Sequence, residues 1–319
     1  MIKSKICDLL GIQYPVFQGG MAWVADADLA AAVSEAGGLG IIAGMNSNAE
    51  QLRAEIRKLR QKTSKPFGVN VMLMSPYAAE VADVIIEEKV PVVTTGAGNP
   101  LPFMKKWTEA GVKVIPVVAS VSLAKMVAKR GATAVVAEGG ESGGHIGEAN
   151  TMPLVPQVVD ALEIPVIAAG GIADGRGMAA AFMLGAEGVQ MGTRFLVAKE
   201  CNVHQVYKDR VIKAGDIATV VNGRRIGHPA RALKNPFTQS FAALEKSADA
   251  TDEELTAFGT GALRKAVQEG DWENGSFLCG QVAGLVQKEQ TCKEIIEEIV
   301  AETEAILLGA ANRITEVKA

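Results

Sequence analysis

Residues 138–147 read Glu-Gly-Gly-Glu-Ser-Gly-Gly-His-Ile-Gly, which sets His145, one of 3 histidines, between glycines. Imidazole gives and takes a proton near neutral pH, and flanking glycines let a ligand approach backbone. A loop histidine alone is more often solvated or hydrogen-bonded; over a glycine-lined pocket it becomes a candidate acid or base. Two other glycine sites suggest an anion. Gly170-Gly171 precedes Asp174 and a helical pattern of small residues, and Gly192-Thr193 ends another apolar run. Such turns expose N–H groups, and a helix N-terminus nearby adds a dipole that favours phosphate. Tight glycine packing without a ligand is the bland alternative, and the coincidence of two sites favours phosphate.

Other patterns carry less. Gly38-x-Gly40-x-x-Ala43 matches a dinucleotide fingerprint, but it runs from a helix end into a strand, whereas the fingerprint needs strand, turn, helix. Cys201 and His204 have a C-x-x-H spacing with no second pair to complete a tetrahedral zinc site, so no metal is expected. No G-x-S-x-G elbow and no Walker lysine motif is present.

The elements that position these residues follow a rhythm. Apolar runs begin near Tyr14, Leu39, Pro66, Val90, Lys113, Thr133, Pro165 and Gly188, at intervals of 20 to 32 residues. Most are apolar throughout, as strands covered on both faces are. Between them lie helical patterns, with Leu52, Ile56 and Leu59 on one face and Val81, Val84 and Ile85 on another. Eight strand–helix units predict a (β/α)8 TIM barrel, with a doubly wound open sheet as the alternative. Barrel active sites sit at the C-terminal ends of the strands. Those ends supply Gln18-Gly19-Gly20-Met21, Ala43-Gly44, Asn70, Thr94-Thr95-Gly96, Ser120, Glu138-Gly139-Gly140, Gly170-Gly171 and Gln190-Met191-Gly192-Thr193. This rim is small, glycine-rich and almost uncharged, which suits a flat ligand held by amides and hydroxyls. The longest interval contains His145.

The rhythm stops near residue 215. The sequence therefore predicts a barrel over 1–215, an insertion or substrate-side subdomain over 216–290 beside the barrel mouth, and a C-terminal helix over 291–319 packing back on the barrel. Thr251 with Glu254, and Thr291 with Glu294, fit capping boxes. The second opens a helix carrying Ile295, Ile296, Ile299, Val300, Ile306 and Leu307.

Composition bounds the function classes. The 319 residues are 48% hydrophobic and 21% charged, with 34 glycines and a net charge of −4. The chain is no generally basic nucleic-acid coat. Its apolar runs are strand-sized, short of a membrane span. Four cysteines without a C-x-x-C pair, and no signal-like start, suggest a reduced cytoplasmic protein. One local exception to the acidity is Asn222–Asn235, which holds Arg224, Arg225, Arg231 and Lys234, with His228 among them and no Asp or Glu.

The runs GGMAWVADADLAAAVSEAGGLGIIA, KPFGVNVML, TTGAGNP, ESGGHIGEANTMPLVPQVVDALEIPVIAAGGIADGRG and LGAEGVQMGTRFL resemble the nitronate monooxygenase-like FMN barrel superfamily. Within it, the sequence is most similar to the flavin-dependent enoyl-acyl-carrier-protein reductases, the type II enoyl reductases of fatty acid biosynthesis. GHPARALKNP, GTGALRKA and GSFLCGQVAGLV carry that resemblance almost to the C-terminus. It implies an FMN enzyme that takes electrons from NADH or NADPH, reduces an enoyl group on acyl carrier protein, forms a homodimer and responds to monovalent cations. By the same resemblance, Gly20, Met21 and Asn70 contact the flavin ring, Glu138 lies near the ribityl and ring edge, and His145 is the active-site histidine. Gly170, Gly171, Gln190, Met191, Gly192 and Thr193 line the cofactor site, with Gly171, Gly192 and Thr193 on the phosphate. Other flavin barrels place a lysine near flavin N1; no strand end here offers one, so backbone amides or the phosphate-side helix are expected to support the reduced ring. The basic run would meet the acidic carrier or the nucleotide phosphates. The competing reading is a nitronate monooxygenase, in which the histidine removes a carbon-acid proton and oxygen reoxidises the flavin. The long C-terminal segment favours the reductase. A non-catalytic phosphate-ligand-binding barrel is a distant third, against which His145 in its enlarged loop argues.

Overall fold

The computed structural model describes residues 2–44 and 47–313. Its strands are β1 (Val16–Gln18), β2 (Gly40–Ala43), β3 (Phe67–Met72), β4 (Val92–Gly96), β5 (Lys113–Val118), β6 (Val135–Glu138), β7 (Gly144–His145), β8 (Val166–Ala169), β9 (Gly188–Met191), β10 (Thr219–Asn222) and β11 (Ala230–Leu233). Each of the eight apolar runs contains one of the long-sheet strands, in the order β1-β9-β8-β6-β5-β4-β3-β2. All neighbouring pairs are parallel. The edges meet where Phe17 bridges Leu39 in parallel. Gln18 ties this seam, its Nε2 donating to Ile41 O (3.2 Å) and its Oε1 accepting from Ile41 N (3.1 Å). The result is a (β/α)8 barrel, as the alternation of strand and helix predicts.

Two apolar layers follow from strands covered on both faces. Outside, Leu52, Ile56 and Leu59, and Val81, Val84 and Ile85, are buried along one face of their helices. Gly40 lets the helix Ala27–Glu35 lie against β2, since a Cβ there would stand 1.8 Å from Ala30 O. Gly38 has a packing reason of its own, since a Cβ there would stand 2.7 Å from Val16 O. Inside, Phe17, Leu39, Ile41, Val92, Ile115 and Val136 fill the lower barrel together with Ile6 and Leu10. The latter two belong to a helix, Lys5–Leu10, that plugs the barrel floor. Ser4 caps it by accepting from Ile6 N, and Ser4 Oγ also donates to Glu187 O. With the floor closed and the lower interior packed, the remaining space lies at the strands' C-terminal ends.

The final helix, Cys292–Gly309, opens with the Thr291–Glu294 capping box. It packs on the helices Gly175–Met183 and Ala27–Glu35. Ile295, Ile296, Ile299 and Val300 are buried, while Ile306, expected on the same face, is exposed. The buried residues of this helix end at Thr303, whose Oγ1 donates to Ile299 O (2.7 Å). Between barrel and final helix, β10 and β11 form a hairpin, and β11 pairs antiparallel with β7. Three capped or short helices and a π-helical turn follow, and the Thr251–Glu254 capping box opens one of them. No helix among the described residues is long and apolar enough to cross a membrane.

Candidate active site

A cavity of about 430 Å³ opens above the packed interior, within the range of small-molecule sites. Its wall begins at β1. Gly19 N donates to Met191 O (2.9 Å), joining the ends of β1 and β9. Gly20 has no room for a side chain, because a Cβ would stand 2.2 Å from Asn70 Cβ. The Asn70 amide is held by Nδ2 donating to Thr94 Oγ1 (3.0 Å). Gly20, Met21, Asn70, Gln190 and Met191 thus line one side of the cavity.

The opposite end is a cradle of bare backbone. Gly170 and Gly171 take φ of 86° and 72°, a left-handed turn that glycine adopts at little cost. Thr151 Oγ1 braces it within 2.9 Å of Gly170 O and of the Glu141 carboxylate, which also accepts from Thr151 N (2.9 Å). β9 ends at Met191, two residues before the predicted end at Thr193, and Gly192 precedes a helical turn, Thr193–Leu196. Among the described residues, no backbone carbonyl accepts from Gly171, Gly192 or Thr193 N–H. A Cβ on Gly192 would meet only Met21, at 3.4 Å from Sδ. Free amides facing a cavity beside a glycine turn are the donor set a phosphate requires.

Glu138 stands at the end of β6 in the same cavity, and burial raises its carboxyl pKa to about 7, with the Ser142 hydroxyl opposing the rise. His145 occupies the rim. It sits on β7 opposite Ala230 of β11, and Ile146 N donates to Pro229 O (3.0 Å). Loss of hydration between the surrounding walls pushes its imidazole pKa below the ordinary value, and His228 pushes it further the same way. The two rings stand edge to face with centroids 6.3 Å apart. Every glycine, amide and acid proposed for the cofactor, and His145, therefore lines one cavity.

Sequence reasoning missed part of that lining. Leu263, Leu278 and Val282 reach it from beyond the barrel, as does Tyr207, whose hydroxyl donates to Leu278 O (2.7 Å). Their local pattern is that of ordinary buried residues, so no sequence signal separates them. The Glu141 clamp was visible only as a charge between glycines. Other candidates are structural: Ser120 caps a helix by accepting from Leu123 N, and His204 Nδ1 accepts from Val206 N. Among the described residues, no His, Cys, Asp and Glu cluster could hold a metal.

The basic run does not form one free patch. Arg224 pairs with Glu148. Arg225 pairs with Asp252 (3.1 Å) and donates to Ser247 O (2.9 Å). Arg231 donates to Gly140 O (2.8 Å), which fastens the His145 loop to β11. Lys234 is exposed. None of the four lines the cavity.

The family model for nitronate monooxygenase matches residues 3–84 and 76–302. This chain belongs to the nitronate monooxygenase family. Its relatives include FabK from Thermotoga maritima, a solved structure 53% identical, with a TM-score of 0.96, covering 98% of this chain and 100% of that one. A (3aS,4S,5R,7aS)-5-hydroxy-7a-methyl-1-oxo-octahydro-1H-indene-4-carboxyl-CoA dehydrogenase of Rhodococcus jostii is 37% identical over 94% of this chain and 96% of its own. A "Probable nitronate monooxygenase" of Staphylococcus aureus is 36% identical over 88% and 91%. Nitronate monooxygenase family proteins are FMN-dependent oxidoreductases, and the residues here fit that group: open amides for the phosphate, a glycine wall for a flat ring and a fixed side-chain amide at Asn70.

Proposed function

We propose that this protein reduces trans-2-enoyl-acyl carrier protein to acyl-acyl carrier protein, using NADH or NADPH through FMN, in the last reductive step of fatty acid elongation. The observation that carries this reading is the 53% identity to FabK along the whole chain, including residues 216–290 that enter the cavity wall. The Rhodococcus relative is named for a coenzyme A thioester, which fits a thioester substrate. Bound FMN would supply the hydride chemistry that links the nicotinamide to the enoyl β-carbon. The chain's own residues do the rest. Gly171, Gly192 and Thr193 hold the phosphate through their amides. Gly20, Met21, Asn70 and Gln190 shape the ring's bed, with Glu138 at its edge and Gly170 and Met191 completing the wall. Apolar Leu263, Leu278 and Val282 exclude water. His145 holds the proton that the α-carbon needs.

Residues 216–290 act as the substrate-side unit. Exposed Lys234, and Arg224 on exchanging its surface partner Glu148, are the cations of the basic run that would meet an acidic carrier, and the same charges could serve nucleotide phosphates. The reading extends to a cytoplasmic homodimer activated by a monovalent cation. Nitronate oxidation is the second reading, favoured by the family model and the Staphylococcus relatives. The His145→Ala variant, assayed with its FMN complement intact, tests the proposed proton role. Reoxidation by an enoyl thioester should slow by about 10²- to 10⁴-fold, the range for general acid catalysis. An unchanged rate removes His145 as the donor.

A further inference from the structure

We propose that His228 is the proton-supplying partner of His145, the two imidazoles forming one titrating pair at the cavity rim. This inference rests on the reading of His145 as proton donor. The main chain holds the pair together. His145 lies on β7 opposite Ala230, two residues beyond His228, and Ile146 N donates to Pro229 O (3.0 Å). His228 N donates to Gly223 O (2.9 Å) in the turn that joins β10 to β11. Gly223 takes φ of 86°, and a Cβ on it would stand 2.5 Å from His228 O, so this turn needs its glycine. The rings meet edge to face at 6.3 Å between centroids, a separation that one water molecule can bridge. Both imidazoles are exposed at the rim, but His145 lines the cavity and His228 stands outside the lining.

Other charged groups nearby are engaged elsewhere. Arg224 is paired with Glu148, and Arg225 with Asp252. Glu245 accepts from Gly223 N and Arg225 N. Arg231 donates to Gly140 O, and the Glu141 carboxylate is held by Thr151. Glu138 lies at the cavity base. Of these groups and His228, only His228 shifts the titration of His145. The direction is that of two cations resisting joint protonation.

The proton balance is simple. His145 imidazolium gives one proton to the substrate α-carbon and becomes neutral. Once His145 is neutral, a proton taken up from solvent at His228 passes through the bridging water to His145, leaving His228 neutral. Each turnover draws one proton from solvent, and the bound acyl chain need not leave the cavity mouth for His145 to recharge.

The chain has only 3 histidines, so each imidazole can be followed by NMR in the FMN-loaded protein labelled at histidine. His204, which caps a distant helix, is the internal control. The wild-type His145 signal should titrate in two steps that follow His228. In His228→Gln it should titrate in one step with a higher midpoint, and in His228→Lys in one step with a lower midpoint, while His204 stays unchanged. Steady-state NADH-dependent reduction of crotonyl-coenzyme A by His228→Gln at pH 8 should lose about tenfold, less than the loss expected for His145 itself. Flavin reduction by NADH should not change. A His145 titration indifferent to both substitutions, or an unchanged steady-state rate in His228→Gln, overturns the pairing. A full reoxidation rate in His145→Ala would instead overturn the proton-donor reading, whatever the NMR coupling shows.

Discussion

Gly192→Ala isolates the phosphate cradle more cleanly than any change at the neighbouring glycine turn. Gly171 takes φ of 72°, so a side chain there strains the fold by roughly 1–2 kcal/mol before any ligand is considered. Gly192 has φ of −105° and ψ of −66°, on the side of the map open to alanine. Its new methyl would make ordinary contact with Met21 Sδ at 3.4 Å, the flexible part of that side chain. The ligand-free protein should therefore keep its stability to within about 1 kcal/mol. The methyl projects into the cavity where the phosphate must approach the Gly192 and Thr193 amides. Losing one charge-assisted hydrogen bond costs about 1.5–3 kcal/mol. FMN should then bind roughly 10- to 150-fold more weakly. Quenching of FMN fluorescence gives the affinity, and thermal melting of the stripped protein gives the stability. Wild-type affinity in a variant of normal stability would place the phosphate elsewhere and refute the reasoning.

Two further outcomes follow from the same geometry. Burial raises the folded-state pKa of Glu138 from 4.5 to about 7, so the folded protein holds a proton there that the unfolded chain has released. Stability of the stripped protein should fall as pH rises from about 4.5 to 7, by on the order of 3 kcal/mol, and Glu138→Gln should remove that fall; denaturant melts across this window check it. Carrier docking through rim charges should make kcat/KM for a carrier-bound substrate drop with salt and in Arg224→Ala/Lys234→Ala, with short thioesters unaffected. Equal loss on every substrate, with a raised KM for NADH, would assign those cations to the nucleotide.

What could be read from the sequence was what local periodicity encodes. A strand buried on both faces leaves an apolar run wherever it occurs, so all eight barrel strands stood out, as did the buried faces at Leu52 and Val81. The capping boxes at Thr251 and Thr291 were legible because cap and partner are three residues apart. Strand ends follow from strands, and hence so did the residues that share the cavity. Pairings between distant segments left no such trace. The β7–β11 pairing joins residues more than eighty positions apart, and Gly144–His145 reads as loop without it. The basic run seemed free because Glu148 and Asp252 lie outside it. The floor helix hid for a related reason: Ile6 and Leu10 are buried by a barrel that the first residues cannot announce.

The proposed function turns on which couple the flavin serves: NADH as electron donor with an enoyl thioester as acceptor, rather than a nitronate as donor with oxygen as acceptor. Reduce the FMN-loaded protein with NADH under anaerobic conditions and mix it in a stopped-flow instrument with crotonyl-coenzyme A; in parallel, mix the oxidised protein anaerobically with an alkyl nitronate, following the flavin absorbance in both. Rapid reoxidation by the crotonyl thioester is expected, with one saturated thioester formed per flavin, and no comparable reduction of the oxidised flavin by the nitronate. A flavin that stays reduced with the thioester, in a protein that turns over the nitronate in air, would contradict it.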